Sequence, residues 1–228
     1  MLLILGALLS ILAPVLFYRY ILKGRESVNR KLYINIFLLS ATLYTLPIIA
    51  LELIWDSIFF TPGNASTVVE SFAVAFTRAA LLEEAVKFFF SLRVLRRHPE
   101  LDLKEAILIS GVVGIGYGFT EKFVYFNPVA MITNGLIPGH MVYQWIMGYF
   151  MHKALCSEGA KRRKNFILSF IIPFLIHGIW DFALDLTDYI AEGSTTMTVL
   201  GGTLVLAMIV LMIAGSIIAA KRIRKISE

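Results

Sequence analysis

The sequence predicts an all-α, polytopic membrane helix bundle with seven transmembrane helices, its N-terminus outside and its C-terminus inside. Three observations carry this reading. First, the 228 residues are 58% apolar with a mean hydropathy of +0.77, richer than the roughly 45–50% of an ordinary soluble domain. Second, apolar runs of about the 20 residues that cross a hydrocarbon core recur over roughly 1–22, 32–54, 67–92, 105–126, 138–156, 165–186 and 196–219. They consume nearly the whole chain, so residues 1–228 read as one transmembrane domain. Third, the cations alternate from one connection to the next. Arg19, Lys23, Arg25, Arg30 and Lys31 lie in or beside the first connection, and Arg93, Arg96, Arg97 and Lys104 flank the third. Lys153, Lys161, Arg162, Arg163 and Lys164 flank the fifth, and Lys221, Arg222, Arg224 and Lys225 close the chain. The other connections hold Asp56, Asp185, Asp188 and Glu192 without Lys or Arg, as the positive-inside rule requires for this orientation. The net charge of +5 therefore reports topology in a multi-pass cell-membrane protein, and no nucleic-acid partner is expected.

Each span adds its own detail. The first is followed, not preceded, by its basic residues, the reverse of a secretory signal, and reads as a retained N-out anchor. The second, 32–54, lies between the first basic cluster and Asp56. In the third, Glu83 and Lys87 are four residues apart and share a helix face. Glu84 lies about 100° round from Glu83, so one carboxylate is expected to meet Lys87 and the other a neighbouring helix. A helix-end ion pair would also use these residues, but Glu83 and Glu84 lie too far from Arg93 for short side chains to snorkel.

The fourth span carries a stripe of Gly111, Gly114 and Gly118, which lets another helix approach closely, and delivers Glu121 on nearly the same face, with Tyr117 one turn before it. Lys122 beside it is a partner for Glu121 or an outward-facing cation. The fifth opens with His140 after Pro138-Gly139, with Gln144 one turn on. The sixth holds His177 and, one turn later, Asp181, spaced so that the carboxylate can fix the imidazole tautomer. The seventh, 196–219, has no Lys, which removes a retinal-type receptor with its Schiff-base lysine. His98 and His152 fall at cytoplasmic ends and are expected to be solvated.

An ionisable group near the bilayer centre costs several kcal/mol, roughly 2.5–3.5 on insertion scales. Such groups persist where they face protein or water and do something there. Two histidines and several carboxylates fit hydrolysis, with a glutamate as base and an imidazole or lysine at the developing oxyanion. They equally fit a metal site of two histidines and a carboxylate, or a proton relay in a transporter. No helical His-Glu-x-x-His is present, and Cys156 is the only cysteine, so a Cys cluster for zinc is excluded. Residue types alone leave these alternatives open.

The order of the segments is more specific. Glu83-Glu84-x-x-Lys87, then Tyr117-x-x-x-Glu121 in a glycine-rich span, then His140, then His177-x-x-x-Asp181 resembles the PrsW family of intramembrane proteases, related to the type II CAAX prenyl endopeptidases. The resemblance covers about residues 78–185. Lys87 at the fourth position after Glu83, one residue before the Arg of the CAAX pattern, and Glu121 where the CAAX enzymes carry His favour the PrsW branch. Tyr117 stands where the family usually has Phe, and Lys122 where it usually has Asn. The resemblance implies an intramembrane endopeptidase in the lipid bilayer that cuts a single-span membrane-protein substrate near the outer face, for example an anti-sigma factor. It implies that Glu83 or Glu84 activates water, that His140 and His177 orient it or hold a divalent metal such as Zn, that Asp181 holds His177, and that Lys87 and Glu121 complete the catalytic set. The alternative is a non-catalytic membrane scaffold or chaperone related to the seven-span scaffold subunit of gamma-secretase, which has lost the glutamate pair that this chain keeps.

Overall fold

The structure, a computed structural model, describes residues 2–23, 29–59, 67–124, 139–188 and 195–226. Glu192 and Pro138, and the side chains of Lys122 and Asp188, lie outside the described residues. Among the described residues there are helices and no strand: α1 (Leu2–Ile21), α2 (Arg30–Ala41), α3 (Thr45–Phe59), α4 (Val68–Ala73), a π-helical segment (Val74–Ala80), α5 (Leu81–Arg97), α6 (Leu103–Val124), α7 (Gly139–Leu155), α8 (Gly159–Asp188) and α9 (Thr195–Arg224).

Among the described residues, four stretches are long and apolar enough to cross a membrane: Arg30–Phe59, Leu103–Glu121, Gly159–Leu186 and Val199–Arg224. The run from Val68 to Arg97 carries Arg78, Glu83, Glu84 and Lys87, which lowers its hydropathy, and α7 has only 17 residues. Large apolar side chains such as Leu53, Ile58, Ile167, Val210 and Leu211 stand exposed on the surface. An apolar exterior of this kind suits lipid, because water would penalise it.

The expected second span is interrupted. Hydropathy runs unbroken through 32–54, but the chain turns at Thr42-Leu43-Tyr44 between α2 and α3. Pro47 explains it: its ring has no N–H to donate and collides with the carbonyl four residues back, that of Leu43. The carbonyls at the end of α2 are all satisfied, the first by the ordinary helical donor and the next three by others. Leu38 O accepts from Thr42 N (3.1 Å) and Leu39 O from Tyr44 N (3.1 Å). Ser40 O accepts from Thr45 Oγ1 (2.8 Å) and Ala41 O from Thr120 Oγ1 (2.6 Å). A break inside an apolar setting persists only when its backbone is satisfied in this way.

Helix α4 starts on a capping box, with Glu70 N donating to Thr67 Oγ1 and Thr67 N to Glu70 Oε2. The π-helical segment follows without a break and leads into α5. Arg78, on this segment, makes a two-pronged pair with Asp56 of α3 (Nε–Oδ1 2.7 Å, the second nitrogen to Oδ2 3.1 Å) and lies 3.8 Å from Glu52. The pairing ties α3 to the segment preceding the glutamate pair.

Helix α6 runs through the middle of the bundle, and glycines set its contacts. On one face, a Cβ at Gly114 would lie 2.1 Å from the carbonyl oxygen of His140, so only glycine lets α7 come this close. On the opposite face Gly116 does the same for α2, where a Cβ would lie 2.7 Å from Phe37 O. Ser40 donates to Val113 O across that second contact (2.6 Å). Ile36, Phe90, Val94, Ile109, Val113 and Met147 form the main core between these helices, and Tyr44 stacks on Phe90 with ring centres 3.5 Å apart.

Candidate active site

Four helices deliver polar side chains to one buried cluster. Helix α5 brings Glu83, Glu84, Lys87 and Ser91; α6 brings Tyr117 and Glu121; α7 brings His140, Tyr143 and Gln144; α8 brings His177 and Asp181. Glu83, Glu84, Lys87 and His177 are each at most 3% exposed. Every candidate from the sequence motifs falls within this cluster.

Lys87 stands at its centre. The ammonium donates to Glu83 Oε2 (2.8 Å) and Glu84 Oε1 (3.0 Å), and the third donor points to His140 Nδ1 (3.1 Å). Its three hydrogens are thereby used, and it also lies 4.1 Å from the centre of the Tyr117 ring. Both glutamates bind Lys87, where the sequence led us to expect only one. The ammonium lies four residues from Glu83 and three from Glu84, and its flexible stem lets it bridge both.

The histidines are oriented from behind. His140 Nε2 lies 2.8 Å from Glu121 Oε2. A carboxylate only accepts, so Nε2 carries the proton and Nδ1 accepts from Lys87. Gly118 makes room for this ring, since a Cβ there would lie 2.7 Å from His140 Cδ2. His177 Nδ1 lies 3.0 Å from Glu84 Oε1, while Nε2 lies 3.2 Å from Asp181 Oδ2 and 3.8 Å from Glu83 Oε2. Tyr143 stacks on the His177 ring, with centres 5.1 Å apart.

The two glutamates differ. Glu84 accepts from Lys87 and His177 on Oε1 and from Gln144 Nε2 on Oε2 (2.9 Å). Glu83 meets Lys87 and His177 through Oε2 alone. Glu83, Glu84, His140 and His177 each offer one ligand atom, and these atoms lie within 4.8 Å of one another. Mixed imidazole and carboxylate donors suit a divalent cation. The charge balance points the same way: with Glu121 and Asp181 the cluster holds four carboxylates against the Lys87 ammonium and a His177 ring that faces a carboxylate from each nitrogen, so negative charge is in excess. These residues fit a metal ion.

The sequence motifs left out Gln144 and Ser91 as site residues. Their spacing held a signal: Gln144 is four residues after His140, and Ser91 four after Lys87, so each shares a helix face with a candidate. Of the two histidines set aside as solvated, His98 pairs with Glu100 at 2.9 Å. His152 differs from expectation: it is partly buried and lies 3.2 Å from Leu101 O, closing the gap between α7 and the turn before α6.

A family profile described as PrsW family intramembrane metalloprotease matches residues 29–215. The chain belongs to the PrsW family. The Protease PrsW of Oceanobacillus iheyensis is 33% identical over 195 residues, which cover 81% of this chain and 84% of that protein. The Protease PrsW of Geobacillus kaustophilus is 36% identical over 118 residues, 49% of this chain and 52% of that protein. The Protease PrsW of Clostridioides difficile is 24% identical over 184 residues, 75% and 76% of the two chains. No solved structure matches this PrsW-family chain.

Proposed function

We propose that this chain hydrolyses a peptide bond of a single-span membrane protein near the outer face of the cell membrane, with Glu83 as the base. The observation that carries the reading is the convergence of Glu83, Glu84, Lys87, His140 and His177 in one buried cluster, in a member of an intramembrane metalloprotease family. Glu83 is preferred over Glu84 because Glu84 already accepts on both oxygens, whereas Glu83 is engaged through one.

In this mechanism Glu83 takes a proton from water as the water oxygen bonds to the scissile carbonyl carbon. The positive charge of Lys87, together with His177 steadied by Asp181, stabilises the oxyanion that forms. Collapse of the tetrahedral species breaks the C–N bond, and Glu83 returns its proton to the leaving nitrogen. A divalent cation such as Zn²⁺, held by Glu84, His140 and His177 with Glu83 left as the base, would supply Lewis acidity at the same place. His140 is kept in one tautomer by Glu121 throughout.

Membranes from cells producing the chain provide the test. Mapping new N-termini of membrane proteins by mass spectrometry should reveal cuts that disappear with Glu83→Gln, fall with a strong chelator and return with added Zn²⁺. Identical fragment sets from the wild-type chain and Glu83→Gln would overturn the glutamate-base reading, and indifference to chelation would overturn the metal.

The same proposal needs seven spans with the N-terminus outside, which the alternation of basic connections supports. Single cysteines placed at 158–165 in a Cys156→Ser background should be labelled by an impermeant maleimide only after the cells are opened. Labelling in intact cells would reverse the orientation.

A further inference from the structure

We propose that Gln144, braced by Ser91, is the positioning residue that makes the two adjacent glutamates unequal. The inference rests on the protease reading above and adds a residue that the motifs do not contain.

Gln144 is completely buried and Ser91 is 1% exposed. A buried amide has four hydrogen-bonding places to satisfy and is costly to leave unpaired. Here each end has a partner. Gln144 Nε2 donates to Glu84 Oε2 (2.9 Å), and Gln144 Oε1 accepts from Ser91 Oγ (3.3 Å). The Glu84 carboxylate only accepts, so the nitrogen end of the amide must face it. The Ser91 hydroxyl favours the same orientation from the other side.

The consequence falls on Glu84. With Oε2 held by Gln144, its other oxygen is fixed toward Lys87 and His177. The carboxylate plane cannot turn without breaking three hydrogen bonds. His177 is thereby held at Nδ1 by Glu84 and at Nε2 by Asp181. Glu83 receives no such brace and keeps an oxygen for water. The backbone places Gln144 for this role through the same close approach that places His140: a Cβ at Gly114 would lie 2.1 Å from His140 O and 2.8 Å from Gln144 Cγ. One glycine on α6 thus sets the depth of both α7 side chains.

Gln144→Met keeps the length and volume of the side chain and removes the amide. Ser91→Ala leaves Gln144 in place and removes its brace. The full chain, labelled with ¹⁵N-histidine and reconstituted in lipid nanodiscs, contains four histidines, so each ring can be assigned by substitution. Gln144→Met should shift the His177 Nδ1 resonance, leave His98 and His152 unmoved, and reduce fragment formation in membranes about 10–100-fold, the usual scale for residues that orient a ligand or catalytic group. Ser91→Ala should move the same resonance less and reduce cleavage only a few-fold. A purely structural role would lower the melting temperature of Gln144→Met and leave the His177 resonance of the folded fraction in place, which would overturn the proposal. Unchanged cleavage by Gln144→Met would overturn it too. A wild-type chain that makes no cuts would instead overturn the protease reading, and the His177 resonance would still decide what Gln144 does to Glu84.

Discussion

Glu83→Gln is expected to abolish cleavage while leaving the protein nearly as stable as the wild type. Gln keeps the volume and can still accept from Lys87, so the 2.8 Å contact survives in a weaker form. Lys87 also retains Glu84 as an ionised partner. What is lost is the ability to take a proton from water, and general-base catalysis of this kind contributes about 10²–10⁴ in rate. Glu84→Gln should behave differently. It places a neutral amide among Lys87, His177 and Gln144, all of which donate to this carboxylate. An amide nitrogen cannot accept, so one of these donors loses its partner in a buried place. Thermal stability should fall along with activity. Melting curves and fragment mapping on the two purified variants separate the roles: two equally stable variants that both still cut would refute the assignment of Glu83.

Lys87→Met is expected to be the most destabilising single substitution in the cluster. It removes the cation shared by Glu83 and Glu84 and leaves adjacent carboxylates facing one another at about 3% and 0% exposure. Breaking a buried ion pair from one side typically costs about 3–5 kcal/mol. For a chain of this size that corresponds to roughly 10 °C in melting temperature. Adding Glu83→Gln to Lys87→Met removes one of the two stranded charges and should recover part of the loss without recovering activity. A Lys87→Met protein that melts with the wild type would mean that the charges are compensated elsewhere, and the central place given to Lys87 would be wrong.

The participants in the cluster were legible in the sequence because charge in an apolar run is expensive, and Glu83, Glu84, Lys87, Glu121, His140, His177 and Asp181 stand out against their surroundings. Which of them touch was less legible. Spacing predicts the Glu83–Lys87 contact within α5 and sends one carboxylate of the pair to a neighbouring helix, but it does not name Gln144 and His177, on two other helices, as what Glu84 meets. Gln144 and Ser91 are neutral, so they raise no alarm in a hydropathy profile. The break between α2 and α3 escaped for a related reason: hydropathy averages over the window, and the effect of Pro47 on the Leu43 carbonyl is local. The glycine stripe of α6 pointed correctly to a close helix contact, yet Gly116, off that stripe, serves a second contact with α2. Periodicity finds the face a helix shows to one neighbour and is blind to a helix surrounded on several sides.

The π-helical segment Val74–Ala80 imposes a constraint on chain length. Its hydrogen bonds span one residue more than those of an α-helix, so it offsets the angular phase of everything before it by about 100° relative to α5. Arg78 can thereby turn toward Asp56 on α3, while Glu84, on the next turns, faces His177 on α8. Phe76 from the same segment fills the space beside Gly178, the residue after His177. Deleting one residue here would close the wide turn and put one of these two ionic contacts out of register, even if every side chain involved were retained. The stretch can therefore vary in composition more freely than in number: its seven residues act as a spacer whose count sets the angle between two charged sites.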